Sequence, residues 1–360
     1  MEIGFFTMPL HPPGSDITKT FDDDLDQIVS LDKWGYKEAW IGEHFTSEWE
    51  NIPNPDLFIA NLIARTNNIM LGTGVNCLPN HEPFMLAHRI AQLDHMAHGR
   101  FLWGIGAGAY VGDCEVFGYD PSTEENRKMF RDTIDVILKI WQDPDPGVYE
   151  KWNWSFKVPE PLESAGLRLH LKPYQKPHPP IAVGGVSPYS STLALAGERG
   201  WIPMSINVVP TRVLKTHWEA VERGASTTGL TPNRAEWRIC RDVYVAETTE
   251  QARKEALEGV LTRDFQRYFL PLFADRNLTS LAKENPDMPD SDLTAEYLMD
   301  NIWVVGSPDD VADKLRNLHH DVGGFGTLLA MGHEWEPKEK WTNSMIMLVN
   351  EVMPKLADLT

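Results

Sequence analysis

The stretch Gly99-Arg-Phe-Leu-Trp-Gly-Ile-Gly-Ala-Gly-Ala-Tyr110 decides how the rest of the chain is read. Phe101 to Ile105 is apolar without alternation, as in a parallel strand covered on both faces. Gly104, Gly106 and Gly108 then allow a backbone to come close to a bound group. The spacing Gly104-x-Gly106-x-x-Ala109 also satisfies a dinucleotide-binding fingerprint, which needs a helix to open at its third small residue. Tyr110 to Ser122 contains Gly112, Gly118 and Pro121 and reads as a loop. The segment is therefore read as a barrel strand that delivers a glycine-rich loop.

Working outward, short apolar runs alternate with amphipathic stretches, the pattern of α/β architecture. Strands are expected at residues 2–7, 38–41, 69–73, 100–105, 180–183, 202–206, 237–246 and 327–331. Helical periodicity covers 22–34 and 126–141, and Ser307-Pro308-Asp309-Asp310 has the composition of a helix start. A last helix is expected at 344–352, with Pro354 stopping or kinking it. Eight strands with crossovers imply one (β/α)₈ TIM-barrel domain over residues 1–360, with insertions at about 142–175 and 256–297, after strands four and seven. Such insertions usually shape the active-site end of a barrel.

The chain has 360 residues and a formal net charge of −19, which argues against a nucleic-acid groove or an anionic membrane surface as partner. No apolar run approaches a membrane span, and the first ten residues lack a basic leader. Three separated cysteines fit a reducing, cytoplasmic setting. No His or Cys spacing suggests a metal site, and no Gly-x-Ser-x-Gly elbow occurs.

Three strand ends carry candidate chemistry. Glu43-His44 follows strand two, where side chains face a barrel's mouth. His44 either shuttles a proton there or bonds a loop carbonyl as a structural residue. Gly72-Thr-Gly74-Val75-Asn76 ends strand three as either a bulge or a close approach to a planar ligand. Gly184-Gly185-Val-Ser187-Pro-Tyr-Ser190-Ser191 leads into a helix, where free N–H groups and hydroxyls suit an anion. Ordinary capping by Ser190 or Ser191 is the alternative.

Taken together, these residues resemble the bacterial luciferase-like, flavin-dependent monooxygenases. The resemblance runs through Leu93-Asp94, Gly99-Arg100-Phe101, Gly104-Ile105, Tyr110, Asp113 and Val116-Phe117-Gly118. It continues in Glu43-His44-Phe45-Thr46, Gln175-Lys-Pro-His-Pro-Pro-Ile181, Trp303-Val-Val-Gly-Ser-Pro308, Gly323-Gly-Phe-Gly326 and Val352-Met-Pro354. Trp49-Glu-Asn-Ile-Pro-Asn-Pro-Asp56, Leu195-Ala-Gly-Glu-Arg199 and Arg267-Tyr268-Phe-Leu-Pro271 are closer still to the diketocamphane-type, type II Baeyer–Villiger monooxygenases. Gly106 and Ala107 stand where luciferase has a reactive cysteine and a phosphate-binding arginine, so the resemblance does not extend to light emission.

The resemblance implies a homodimer that takes reduced FMN from a separate flavin reductase and uses O₂ to oxygenate a small apolar substrate, a ketone being one option. It places His44 and Glu43 in catalysis. Gly74 and Val75, joined by a non-prolyl cis peptide, would line the flavin together with Gly106, Ala107, Gly108 and Tyr110. Gly184, Gly185, Ser187, Ser190 and Ser191 would take its phosphate, with a distant arginine in support. Met8, Trp49 and Trp103 are expected walls. Two rivals share the fold: a deazaflavin-dependent oxidoreductase that transfers hydride without oxygen, and a flavin-binding protein without catalysis.

Overall fold

The computed structural model describes residues 1–8, 10–206 and 208–359. Eight parallel strands are β1 (Glu2–Thr7), β2 (Glu38–Ile41), β3 (Met70–Thr73), β4 (Phe101–Gly106), β5 (Ile181–Gly185), β6 (Ile202–Ser205), β7 (Arg238–Arg241) and β8 (Thr327–Gly332). Each pairs with its successor, and β8 pairs with β1 from Glu2↔Thr327 to Thr7↔Gly332, which closes the barrel. Asn76-Cys77 is a short continuation beyond β3 that pairs with Ile105-Gly106. Eight helices follow the strands in order: α1 (Ile17–Trp34), α2 (Pro55–Ile63), α3 (Pro83–Met96), α4 (Glu124–Trp141), α5 (Ser191–Arg199), α6 (Thr211–Thr228), α7 (Pro308–Val322) and α8 (Lys338–Met347). Ser307 caps α7, its side chain accepting from Asp310 N, as its composition predicts. The chain continues from α8 through a π-helical turn to Val352 and a 3₁₀ turn containing Pro354.

The barrel interior is filled by side chains. Glu38 and Arg238, on strands that are not neighbours, form an ion pair (3.2 Å) across the inside. Trp40 donates its indole N–H to Glu38 (2.9 Å). The indole occupies space that side chains on β3 and β4 would need: a Cβ on Gly72 would lie 2.5 Å from Trp40 and one on Gly104 3.2 Å from it, the latter also striking the Thr73 carbonyl at 1.9 Å. Trp103 points the other way. It donates to Asn76 Oδ1 (3.1 Å) and meets Trp141 of α4 edge-on, so it belongs to the sheet–helix core and is not a wall of the mouth.

Three sequence expectations change. Residues 110–122 are not all loop, because Val111–Phe117 is a helix and Gly118 (φ 74°) terminates it in the left-handed conformation. The run 237–246 breaks at Asp242, beyond which Val243–Val245 leaves the barrel to pair with Val304–Gly306. The insertion at 142–175 connects a helix to the next strand, at the end of the barrel opposite the mouth. It folds as an antiparallel hairpin (Gly147–Lys151 with Trp154–Val158) that sets Phe156 against Phe84 of α3, while Gln175 anchors its return on Asp94. The later insertion follows a strand and does reach the mouth.

Candidate active site

The mouth is built from the residues just past the ends of β1, β2, β3, β4, β5 and β7. Its floor lacks side-chain bulk. Gly106, Gly184 and the half-buried Val75 lie together: a Cβ on Gly106 would come within 2.6 Å of Val75 Cγ2, and one on Gly184 within 3.6 Å of Val75 Cγ1. The Gly74–Val75 peptide is cis. Gly108 (φ 77°) closes against the Tyr119 hydroxyl, which a Cβ would meet at 2.1 Å. Asn126 holds the loop by donating to Ala107 O (2.9 Å). Met8 stands near the edge, 3.6 Å from where a Cβ on Gly42 would be.

His44, just past the end of β2, lies between two carboxylates. Its Nδ1 lies 3.0 Å from Asp113 Oδ2 and its Nε2 lies 3.3 Å from Glu50 Oε2. Its backbone N–H donates to Ile52 O (3.0 Å), and its ring meets Tyr110 edge-on, with 4.7 Å between centroids. The short helix after the glycine loop brings Asp113 into place. Asp113 Oδ1 accepts from the backbone N–H groups of Phe45 (3.0 Å) and Thr46 (2.9 Å) and from the Thr46 hydroxyl (2.6 Å). Burial works against charge on His44, but Glu50, then Asp113 and Glu43, overcome it and hold its pKa above the ordinary histidine value. Burial also opposes charge on Asp113, and the bonds from His44 and Thr46 bring its pKa below the usual carboxylate value. Burial pushes Glu50 up, against the pull of His44 and of the Tyr268 hydroxyl, which donates to Oε1.

Glu43, adjacent to His44 in sequence, bonds elsewhere. It accepts from Asn76 (3.0 Å), His81 (2.8 Å), Cys77 N (3.3 Å) and Asn80 (3.3 Å), and so fastens the chain after β3 to the end of β2. The side chains that flank His44 are Glu50 and Asp113, six and sixty-nine positions away. Tyr268 reaches the site from the second insertion, stacks on Trp49 (5.6 Å), and leaves the Arg267 guanidinium over the same indole. Both lie in runs that stand out in the sequence, but nothing local there tells which side chain meets His44.

The insertion is seated by a chain of ionisable side chains, buried at His11, Asp24, Asp242, Asp264 and His333 and half-buried at Arg263 and Glu334. His333 lies 2.8 Å from both Asp242 and Asp264. Arg263 bridges Asp264 (2.7 Å) and Glu334, and His11 lies between Asp24 (3.0 Å) and Glu334 (3.7 Å). Burial opposes charge on His333, and its two aspartates raise its pKa to about 9.

At the end of β5, Ser190 caps α5 by accepting from Leu193 N (3.4 Å), and its hydroxyl lies 2.8 Å from that of Thr192. Thr192 donates to Gly184 O (2.7 Å), tying the cap to the floor, while Gly185 packs beneath Leu193. Ser187 and Ser191 are exposed. Arg223 of α6 donates to Tyr189 O (3.3 Å), which brings a cation beside this loop. A helix start with exposed hydroxyls and a nearby guanidinium suits a phosphate. A flat uncharged floor beside it suits a planar ring system, so the residues present fit a flavin mononucleotide.

The model of the luciferase-like monooxygenase family matches residues 1–324. The 3,6-diketocamphane 1,6-monooxygenase of Pseudomonas putida is 32% identical, over 99% of this chain and 98% of its own. The 4-hydroxyprotoasukamycin monooxygenase of Streptomyces nodosus subsp. asukaensis is 33% identical, over 99% and 92%. Among solved structures, the oxygenating constituent of 3,6-diketocamphane monooxygenase from the CAM plasmid of Pseudomonas putida, a type II Baeyer–Villiger enzyme in complex with FMN, superposes with a TM-score of 0.91 at 33% identity, covering 99% of this chain and 98% of that one.

Proposed function

We infer the reaction from the premise that this chain belongs to the luciferase-like monooxygenase family. It is a flavin-dependent monooxygenase, and its flavin is FMN. We propose that it is the oxygenating component of a two-component system, receives reduced FMN from a separate reductase, and acts on a small apolar organic substrate such as a ketone. Bound in reduced form, the flavin supplies two electrons with which one atom of O₂ enters the substrate and the other leaves as water.

The chain's own residues divide the remaining work. Val75, Gly106, Ala107, Gly108 and Gly184 would support the ring, with Gly74 completing the cis peptide. Ser187, Ser191 and the first-turn N–H groups of α5 would hold the phosphate, with Arg223 in support. Trp49, Tyr268 and Met8 would exclude water and offer an apolar wall. His44 would donate a hydrogen bond from Nε2 and manage one proton at that atom, while Asp113 orients the ring through Nδ1. The observation that carries this reading is His44, only 18% exposed and held between Asp113 and Glu50 past the end of β2, at a mouth whose glycine-rich loops leave little side-chain bulk. We also propose a homodimer through α2 and α3, where Leu57 and Met85 are exposed.

The test supplies reduced FMN anaerobically, admits O₂, and follows oxygen consumption and product with and without candidate ketones. The reading expects substrate-dependent incorporation of one labelled oxygen atom. Hydride transfer without oxygen uptake would instead favour the deazaflavin alternative, and flavin binding without turnover the non-catalytic one.

A further inference from the structure

The two carboxylates beside His44 are not equivalent. Asp113 is fully occupied: Oδ1 takes three donors and Oδ2 faces Nδ1. Glu50 is buried and has one committed oxygen, Oε1, which accepts from Tyr268. Its Oε2 lies within ion-pair distance of His44 Nε2 but is not aligned for a hydrogen bond and has no hydrogen-bond partner. Oε1 faces the Tyr268 O–H and Oε2 faces His44 Nε2, so the geometry suits a carboxylate set beside a protonated imidazole. Because Nε2 is not hydrogen-bonded to Oε2, its N–H is left for an acceptor in the mouth. A buried carboxylate with an unfilled oxygen is costly unless a charge of opposite sign stands beside it. Among the described residues, His44 is the cationic partner within ion-pair distance of that oxygen.

Resting on the oxygenase reading above, we propose that Glu50 is a positioning residue whose carboxylate keeps His44 in its proton-donating form, and that Tyr268 holds that carboxylate in place. Asp113 orients the imidazole and Glu50 sets its charge. The other titratable groups facing His44 are Glu43, from the end of β2, and Tyr110, from the glycine loop. Glu43 already accepts from four donors, so its charge is compensated elsewhere. Tyr268 comes from the second insertion, so the seating of that insertion and the charge of His44 are one linked equilibrium.

The experiment is an NMR titration of ¹⁵N-histidine-labelled, flavin-free protein, with the His44 signal assigned by its loss in His44→Gln. In Glu50→Gln the titration midpoint of His44 is expected to fall by about 1 pH unit or more, a roughly tenfold loss of proton affinity. In Tyr268→Phe it is expected to fall in the same direction by less. In the flavin-loaded enzyme the basic limb of product yield against pH should move down with the midpoint. An unchanged midpoint in folded Glu50→Gln overturns the proposal, and if that variant does not fold, an unchanged midpoint in Tyr268→Phe overturns it. A shifted midpoint in a protein that oxygenates nothing supports the coupling and removes the oxygenase reading instead.

Discussion

Raising the pH should loosen the insertion over the mouth, and His333 sets the size of the effect. Its ring is buried between Asp242 and Asp264, which raise its pKa from 6.5 to about 9. A group whose folded pKa is raised contributes stability that is fully present below about 6.5 and is lost as pH rises through about 9. At about 1.4 kcal/mol per pH unit, the contribution is roughly 3 kcal/mol. Unfolding entropy of about 2 cal/mol/K per residue over 360 residues converts this to about 4 °C in Tm. His11 titrates in the same window, also with a pKa near 9, so wild type alone does not isolate His333. The assay is therefore the Tm gap between wild type and His333→Gln, measured from pH 6 to pH 10. The gap should narrow by about 4 °C across that range because both proteins share the His11 component. A gap that stays constant would show that the Asp242–His333–Asp264 triad carries no net charge-dependent stability.

Other outcomes follow from the same geometry. His44→Ala should fold and bind reduced FMN but lose product by about 10²–10⁴-fold, with hydrogen peroxide formed instead; full product yield per flavin oxidised would make His44 structural. Ser190→Ala with Ser191→Ala should weaken FMN at least roughly tenfold, and the lost cap should cost about 1 kcal/mol of stability. Unchanged affinity would place the phosphate elsewhere. Sedimentation at micromolar concentration should give a dimer that Leu57→Glu with Met85→Glu dissociates, and a wild-type monomer would refute the interface.

Much of the barrel was legible in the sequence because buried parallel strands are continuous apolar runs. Glu2–Thr7 and Glu38–Ile41 appear with the bounds their composition suggests. The helix at Val111–Phe117 was not legible, because Gly112 and Gly118 look like breakers. In the structure Gly112 makes room for Thr46, and Gly118 ends the helix. At the site, His44 is visible from its place after β2, whereas its partners are set by tertiary contact. Adjacency pointed to Glu43, while the carboxylates at the ring come from a loop and a separate helix. The charge chain through His11, Glu334, Arg263 and His333 joins residues more than three hundred positions apart, and no local pattern announces it.

The indole of Trp40 has a consequence for how the family's sequences can drift. It touches the space above Gly72 and Gly104, and its Cβ lies 2.9 Å from where a side chain on Gly74 would begin. Gly74 and Gly106 are the next inward positions on those strands, so the height of the floor is gauged from below by one side chain. A smaller residue at 40 would let β3 and β4 settle inward, and a methyl at 72 would lift them. Positions 40, 72 and 104 should therefore be inherited as a block, tolerating exchange together and resisting it singly, even though none of the three reaches the mouth.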